Sequence, residues 1–140
     1  MGLHRSEEQP CHVMGIVNVT PDSFHAQSRR TTVEQAIETA IAMWQQGATW
    51  IDIGGESTRP GADFVSVEEE IQRVLPVITA LRLQNESGLI SIDTRRPQVA
   101  RAAIDAGADI INDVSGLRDP EMVALVLDKQ CGVCIMHMQG

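Results

Sequence analysis

The sequence contains few aromatic residues and few basic ones. Aromatic side chains account for 3% of the 140 residues, and tyrosine is absent. Lys and Arg number 11 against 19 Asp and Glu, so the formal net charge is −8. A chain with this charge lacks the basic patch that neutralises the phosphates of nucleic acid or of an anionic membrane. We therefore expect neither as a partner, whereas local arginines can still bind a small anion.

Long apolar runs and two common nucleotide-binding motifs are also missing. No run approaches the roughly 20 apolar residues of a membrane-spanning helix, and the first ten residues are polar and charged. Three cysteines, an odd number, favour a reducing compartment, so we expect a cytoplasmic protein. Neither G-x-G-x-x-G nor G-x-x-x-x-G-K-[S/T] occurs, which argues against a dinucleotide-binding sheet and against a P-loop.

The spacing of the apolar residues predicts strands that alternate with helices. Short runs rich in Ile and Val lie between stretches whose apolar residues recur every three or four positions. We predict helices over about 32–46, 66–81, 97–106 and 120–130, with a kink or an end at Pro76 in the second. Such unbroken succession is typical of parallel α/β folds. Without a dinucleotide motif, a (β/α)8 TIM barrel is favoured over an open doubly wound sheet.

Each predicted strand ends in a polar residue of a kind that holds ligands. The residues at the ends of the five apolar runs are Asn18, Asp52, Asp93, Asn112 and His137. In parallel α/β folds the carboxyl ends of the strands meet at one face, and ligands bind there. We therefore expect these polar groups to converge on one site, which favours an enzyme.

Two predicted loops carry most of the chemical information. Residues 18–24 read Asn-Val-Thr-Pro-Asp-Ser-Phe, and residues 54–61 read Gly-Gly-Glu-Ser-Thr-Arg-Pro-Gly. Paired glycines let a backbone approach a ligand closely, and Ser, Thr and Arg side chains donate to a phosphate or a carboxylate. Asn18 and Asp93 are acceptors instead, suited to a hard cation or to a ring edge that carries N–H groups.

These loops and strand ends resemble the dihydropteroate synthase family. The matching segments follow the family's order and cover nearly the whole chain after Pro10, at residues 14–24, 52–61, 91–94, 111–113 and 136–140. The resemblance implies an α/β chain that contains the first five strands and four helices of a (β/α)8 TIM barrel. Residues 1–11 would be a polar tail, and residues 12–140 the N-terminal part of a single pterin-binding domain.

The implied reaction belongs to folate synthesis. Enzymes of this family join 4-aminobenzoate to 6-hydroxymethyl-7,8-dihydropterin diphosphate and release pyrophosphate. The resemblance therefore implies these two compounds as binding partners, Mg²⁺ as the cofactor, and a homodimer for the full-length protein.

The resemblance also implies roles for residues near the pterin and its diphosphate. Asn18 would hold the Mg²⁺ that neutralises the leaving diphosphate. Asp93 and Asn112 would bind the polar edge of the pterin deep in the barrel, and Thr58 would touch the diphosphate.

The remaining implied roles belong to the two loops. Arg59 is the implied catalytic residue, which helps to order the second loop, and Phe24 and Pro60 would help to form the aminobenzoate pocket. The first loop departs from the family in one place. Where the family often carries an Asp after its Ser-Phe pair, this sequence has Ala26.

Two other interpretations stay open. A pterin-binding methyltransferase on the same barrel shares the Asp and Asn that hold the pterin, but it would not be expected to carry the whole loop at 54–61. The second alternative is a non-catalytic half-barrel that pairs with another chain. It arises because the family's second pterin-binding Asp, its Lys, and its late Arg and His all lie beyond Gly140.

Overall fold

The computed structural model describes residues 13–19, 29–55, 65–113 and 117–135, in which five strands alternate with four helices. In chain order the elements are β1 (Met14–Asn18), α1 (Arg29–Gln45), β2 (Trp50–Gly54), α2 (Val67–Gln84), β3 (Leu89–Asp93), α3 (Pro97–Ala106), β4 (Ile110–Asp113), α4 (Pro120–Lys129) and β5 (Gly132–Ile135). Within these described ranges, none of the helices combines the length and apolar character needed to cross a bilayer.

The strands form one parallel sheet whose spatial order, β1-β2-β3-β4-β5, is also the chain order. Each helix packs against the next helix along the chain. Because parallel crossovers are right-handed, a sheet that grows in one direction places its helices on one face. An open doubly wound sheet would reverse direction instead. The arrangement is the wall of a (β/α)8 barrel, and the predicted fold is confirmed for its first five strands.

The two faces of the sheet differ in polarity. The outer face packs against the helices through side chains with no exposed surface, namely Ile51, Ile53, Ile90, Ile92 and Ile111. Burial of each such side chain stabilises the fold by about 1.5–3 kcal/mol. The alternate residues lie on the inner face, which carries Asn18, Asp52, Ser91, Asp93 and Asn112. The core therefore lies between sheet and helices, and the inner face is left for polar groups.

The helices begin and end at local signals in the sequence. The Ser66 hydroxyl caps α2 by accepting from the backbone N–H of Glu69, and Asp119 caps α4 in the same way. Pro97 is the first residue of α3, whose predicted bounds are confirmed. Gly47, which follows α1, adopts the left-handed φ of 109° that glycine favours.

Two helix ends differ from those predicted. Helix α1 begins at Arg29, before the predicted start at residue 32, so Thr32 is buried inside the helix and does not cap it. Helix α2 does not end at Pro76 but continues to Gln84. Proline removes one N–H bond to the carbonyl four residues earlier, here that of Gln72. Both residues are exposed, so this carbonyl lies on the solvent side of the helix.

Arg82 ties the end of α2 to the entrances of two strands. Its guanidinium donates to the carbonyl oxygens of Gly88 and Gly107, each at 2.7 Å, and to the Asp109 carboxylate at 2.7 Å. Asp109 also accepts from the backbone N–H of Ile90 at 2.9 Å. One partly buried side chain thus satisfies acceptors before both β3 and β4.

Replacing Arg82 with alanine should destabilise the fold. Arg82→Ala leaves several acceptors without a donor, and we expect a loss of at least about 2 kcal/mol in the free energy of unfolding. Arg101→Ala is the matched control because its pair with Asp128 spans 3.7 Å between exposed side chains. It should cost less than about 1 kcal/mol. Urea denaturation at one protein concentration measures both variants; equal effects would contradict the role given to Arg82.

Candidate functional site

Three of the predicted site residues lie side by side on the inner face. The strand register pairs Asn18 with Gly54, Gly54 with Asp93, and Asp93 with Asn112. These residues form one row across four strands, at or near the carboxyl ends. The structure therefore brings Asn18, Asp93 and Asn112 together, while their roles stay predictions.

The other predicted site residues cannot be placed in the same way. They lie outside the described residues, together with the polar residue that ends the fifth run, and comprise Phe24, Thr58, Arg59, Pro60 and His137. Ala26, which replaces the usual loop Asp, is also outside the described part of the chain.

Asp52 does not end its strand, in contrast to the prediction. Strand β2 continues to Gly54, so Asp52 lies in mid-strand, deeper in the sheet than the row at the strand ends. Its side chain is buried, with 3% exposed. The carboxylate accepts a short hydrogen bond from the Ser91 hydroxyl and one of 3.2 Å from the Asn112 side-chain nitrogen. Donors from two further strands therefore hold this buried charge.

The Asn112 amide is satisfied at one end only. Its nitrogen donates to Asp52, whereas its oxygen Oδ1 is buried without a hydrogen-bond partner in the described structure. A buried acceptor without a partner costs about 1–3 kcal/mol, so it calls for an explanation. Asn112 is the register partner of Asp93, so the unsatisfied oxygen and a carboxylate belong to neighbouring residues of adjacent strands. The two groups make a pair of acceptors on the inner face.

Burial and, to a smaller extent, neighbouring negative charges perturb the pKa of Asp93. Burial raises the pKa of Asp93 from 3.8 to about 6, and the carboxylates of Asp52, Glu70 and Asp113 add to the rise. Burial also raises the pKa of Asp52, and its two hydrogen bonds oppose that rise. The Asp93 carboxylate is therefore ionised near neutral pH only at a cost, which hydrogen-bond donors from a ligand would lower.

Hydrogen bonding and close packing hold the end of β2 against α2. Arg73 donates to the carbonyl oxygen of Gly55 at 2.9 Å, and Glu70 accepts from the guanidinium of Arg96 at 3.2 Å in a buried ion pair. A Cβ atom on Gly55 would lie 3.0 Å from Val74 and 3.2 Å from the Glu70 carbonyl oxygen. Close packing of strand against helix is thus sufficient to require glycine at position 55.

Sequence reasoning missed two residues of this region. Ser91 is a polar residue between Ile90 and Ile92, inside one of the predicted apolar runs. Its polarity was a usable signal for a buried hydrogen bond. Glu70 lies in an acidic first turn beside Glu68 and Glu69, where no local signal distinguishes the buried carboxylate from the others.

The pKa of Asp93 predicts a pH-dependent stability. Because the folded pKa is about 6 against 3.8, the folded state binds more protons between those values, and stability falls as pH rises through this window. Asp93→Asn cannot ionise, so it removes the free-energy cost of burying a charged carboxylate at this position. The variant should be more stable than the unaltered chain at about pH 7.5, and the gap should shrink at about pH 4.5.

Urea denaturation at the two pH values measures this gap. Asp128→Asn is the matched control because this carboxylate is 67% exposed, and its effect should be small at both pH values. A gap for Asp93→Asn that is the same at both pH values would contradict the electrostatic account of Asp93.

Comparison with known proteins supports the resemblance to dihydropteroate synthases. The family model described as "Pterin binding enzyme" matches residues 14–140. Dihydropteroate synthase from Streptococcus pyogenes serotype M1 is 52% identical over 128 residues, which is 91% of this chain and 48% of that protein.

Solved structures give a similar result. Xanthomonas albilineans dihydropteroate synthase with 4-aminobenzoic acid has a TM-score of 0.83 and 52% identity, over 92% of this chain and 47% of that one. The same enzyme in complex with 7,8-dihydropteroate has a TM-score of 0.79 and 47% identity, over 91% and 46%. The chain thus spans about half the length of these relatives. It belongs to the pterin binding enzyme family, and the resemblance to dihydropteroate synthase read from its motifs is confirmed.

Proposed function

We propose that this chain supplies the pterin-binding part of a dihydropteroate synthase. The reaction would condense 6-hydroxymethyl-7,8-dihydropterin diphosphate with 4-aminobenzoate to give 7,8-dihydropteroate and pyrophosphate. The observation that carries the proposal is a pair of acceptors on register-paired residues of the inner face, the Asp93 carboxylate and the unsatisfied Asn112 oxygen. The relatives whose structures hold 4-aminobenzoic acid and 7,8-dihydropteroate support the choice of substrates.

The acceptor pair suits the polar edge of a pterin. That edge carries ring N–H and amino groups, which are donors, so they would satisfy both the carboxylate and the amide oxygen. A hydrogen bond to a charged group contributes about 1.5–3 kcal/mol. Binding would also supply the buried Asn112 oxygen with the partner that the described structure lacks.

The chemistry asks for charge compensation more than for a strong base. The amine nitrogen of 4-aminobenzoate forms a bond to the methylene carbon of the pterin, and the carbon–oxygen bond to the diphosphate breaks. Pyrophosphate leaves with the bonding electron pair, and the nitrogen gives up a proton. Stabilising the leaving charge and excluding water lower such a barrier. In this proposal Thr58 contacts the diphosphate and Arg59 helps to order the second loop, while Phe24 and Pro60 line the aminobenzoate pocket.

Asn18 is the proposed protein ligand for Mg²⁺. No group of three or more His, Cys, Asp or Glu residues in the described part of the chain could hold a metal ion. Mg²⁺ bound with a diphosphate needs few protein ligands, because phosphate oxygens and waters complete its shell. The amide oxygen of Asn18, on the row with Asp93, fits this requirement. When bound, Mg²⁺ would neutralise the leaving pyrophosphate.

The domain, location and partners of the protein are also part of the proposal. The motif resemblance supports a single pterin-binding domain over residues 12–140 and a homodimer for the complete enzyme, and the odd number of cysteines supports a cytoplasmic location. The net charge of −8 supports the absence of nucleic acid or an anionic membrane as partners.

The decisive experiment completes the barrel. In the described structure β1 and β5 each pair with one neighbour only, so the sheet has two open edges. We define the completed barrel as residues 1–140 fused to the C-terminal half of the Streptococcus pyogenes enzyme. It should form dihydropteroate, whereas the 140-residue chain alone and the added half alone should not.

Asp93→Asn in the completed barrel should weaken pterin binding at least about tenfold, because the amide brings donors to meet the donors of the ligand. Arg101→Ala serves as the control and should leave turnover unchanged. Calorimetry and product formation are the measurements. A completed barrel that folds but binds no pterin would contradict the proposed function and favour the non-catalytic half-barrel; unchanged affinity in Asp93→Asn would remove Asp93 from the site.

Variants of Asn18 test the metal assignment. Asn18→Ala in the completed barrel should weaken Mg²⁺-dependent binding of the pterin diphosphate about tenfold or more, and spare binding of a pterin without phosphate. Asn18→Asp retains an oxygen ligand and should retain Mg²⁺-dependent binding. If Asn18→Ala weakens both pterin ligands equally, Asn18 is structural.

A further inference from the structure

We propose that Asp52 is a positioning residue that decides which end of the Asn112 amide faces the ligand. This inference rests on the proposed function and deepens it. Asn112 belongs to the row that contacts the pterin in that proposal, whereas Asp52 lies deeper and acts through Asn112. Its effect would be to make position 112 an acceptor, and so to select a ligand edge that carries donors.

The orientation of the amide follows from its partner. An asparagine side chain has a donor end and an acceptor end of nearly the same shape, so by itself it can present either one. With the nitrogen 3.2 Å from the Asp52 carboxylate, a donor meets an acceptor. After a flip, the Asn112 oxygen would face the carboxylate oxygen, and two acceptors would oppose each other in a buried site. The carboxylate therefore fixes the oxygen as the end of the amide that is left to accept from another donor.

Asp52 is itself held rigidly. Its carboxylate accepts from the Ser91 hydroxyl as well as from Asn112, and its side chain is 3% exposed. The residues on either side of it in β2, Ile51 and Ile53, are fully buried against the helices on the other face of the sheet. A carboxylate fixed by packing and by two hydrogen bonds can impose its geometry on a neighbour.

The fixed amide changes what the site recognises. With Asn112 presenting oxygen beside Asp93, two adjacent groups both accept hydrogen bonds. A fused heterocycle whose edge carries adjacent N–H and amino groups matches them. A ligand with an acceptor at the position opposite Asn112 would leave two acceptors facing each other, which costs affinity. Asp52 thus contributes to specificity without touching the ligand.

An exchange of the two residues tests this role. Asp52→Asn frees the amide at 112 to present its nitrogen, and Asn112→Asp places two carboxylates against each other. In the double variant, Asp52→Asn with Asn112→Asp, the new amide donates to the new carboxylate and accepts from Ser91. An acceptor again faces the ligand. A double-mutant cycle separates the interaction between positions 52 and 112 from losses of affinity that each substitution causes by itself.

The measurements are the affinity for 6-hydroxymethyl-7,8-dihydropterin diphosphate and the KM of each substrate, in the completed barrel. Each single variant should weaken pterin affinity and raise the pterin KM about tenfold or more, with the KM for 4-aminobenzoate within about twofold. The double variant should return to within about threefold of the unaltered protein. Losses that simply add in the double variant, or a single variant with unchanged pterin affinity, would overturn the proposal.

Two further variants keep the result interpretable. Ser91→Ala retains the bond between Asp52 and Asn112 but removes one anchor, so it should weaken pterin binding less than Asp52→Asn does; an equal or larger loss would point to a general structural role. Asp128→Asn is the exposed control and should change nothing. Unfolding midpoints identify any variant that fails to fold. If the unaltered completed barrel binds no pterin, the proposed function fails; if it binds pterin and the exchange does not restore affinity, this inference alone fails.

Discussion

The inner face of this sheet depends on one buried carboxylate and the two side chains that donate to it. Asp52 lies in mid-strand on β2, and its partners Ser91 and Asn112 come from β3 and β4. Burying an unpaired carboxylate is expensive, so the donors are required for the strand to be polar on this side. Because the donors come from the next two strands, the bonds that satisfy the charge also fix the side chains of Ser91 and Asn112 on the inner face.

The apolar packing of the barrel wall offsets the free-energy cost of the buried polar cluster. Its outer face is a continuous apolar layer against the helices, in which the strand isoleucines have no exposed surface. That layer supplies the burial that stabilises the fold, and it leaves the inner face free to carry groups that destabilise it. Asp93 with its raised pKa and the unsatisfied Asn112 oxygen are two such groups. Buried polar groups without a full set of hydrogen-bond partners are typical of functional sites, where a ligand supplies the missing partner.

Much of the fold could be predicted because its signals are local. Pro97 and Asp119 are caps and first-turn residues whose effect depends on near neighbours, and the bounds of α3 agree with prediction. The strand ends at Asn18 and Asp93 were read from the point where apolar runs stop. Asp52 was assigned to a strand end for the same reason, and this was wrong. The sequence pattern does not reveal a buried polar residue inside a strand when its donors lie 39 and 60 residues away.

The site was harder to predict than the fold for the same reason. The strand register places Asn18, Asp93 and Asn112 in one row. This could be anticipated, because each of these residues follows an apolar run and the carboxyl ends of parallel strands meet at one face. The direction of the Asn112 amide, the burial of Glu70 and the pKa of Asp93 depend on distances between separate elements. The tolerance of Pro76 within α2 also depends on the fold. The sequence does not show that the carbonyl of Gln72, which loses its N–H donor, lies on the solvent side of the helix.

The central claim is that Asp52 takes the nitrogen of Asn112 so that the oxygen faces the ligand. Neutron diffraction from deuterium-exchanged crystals of the completed barrel with bound 6-hydroxymethyl-7,8-dihydropterin locates the amide deuterons directly. The account predicts one of them on the line from the Asn112 nitrogen to the Asp52 carboxylate, with a deuteron of the pterin pointing at the Asn112 oxygen. Amide deuterons directed at the pterin, with the Asn112 oxygen toward Asp52, would contradict it.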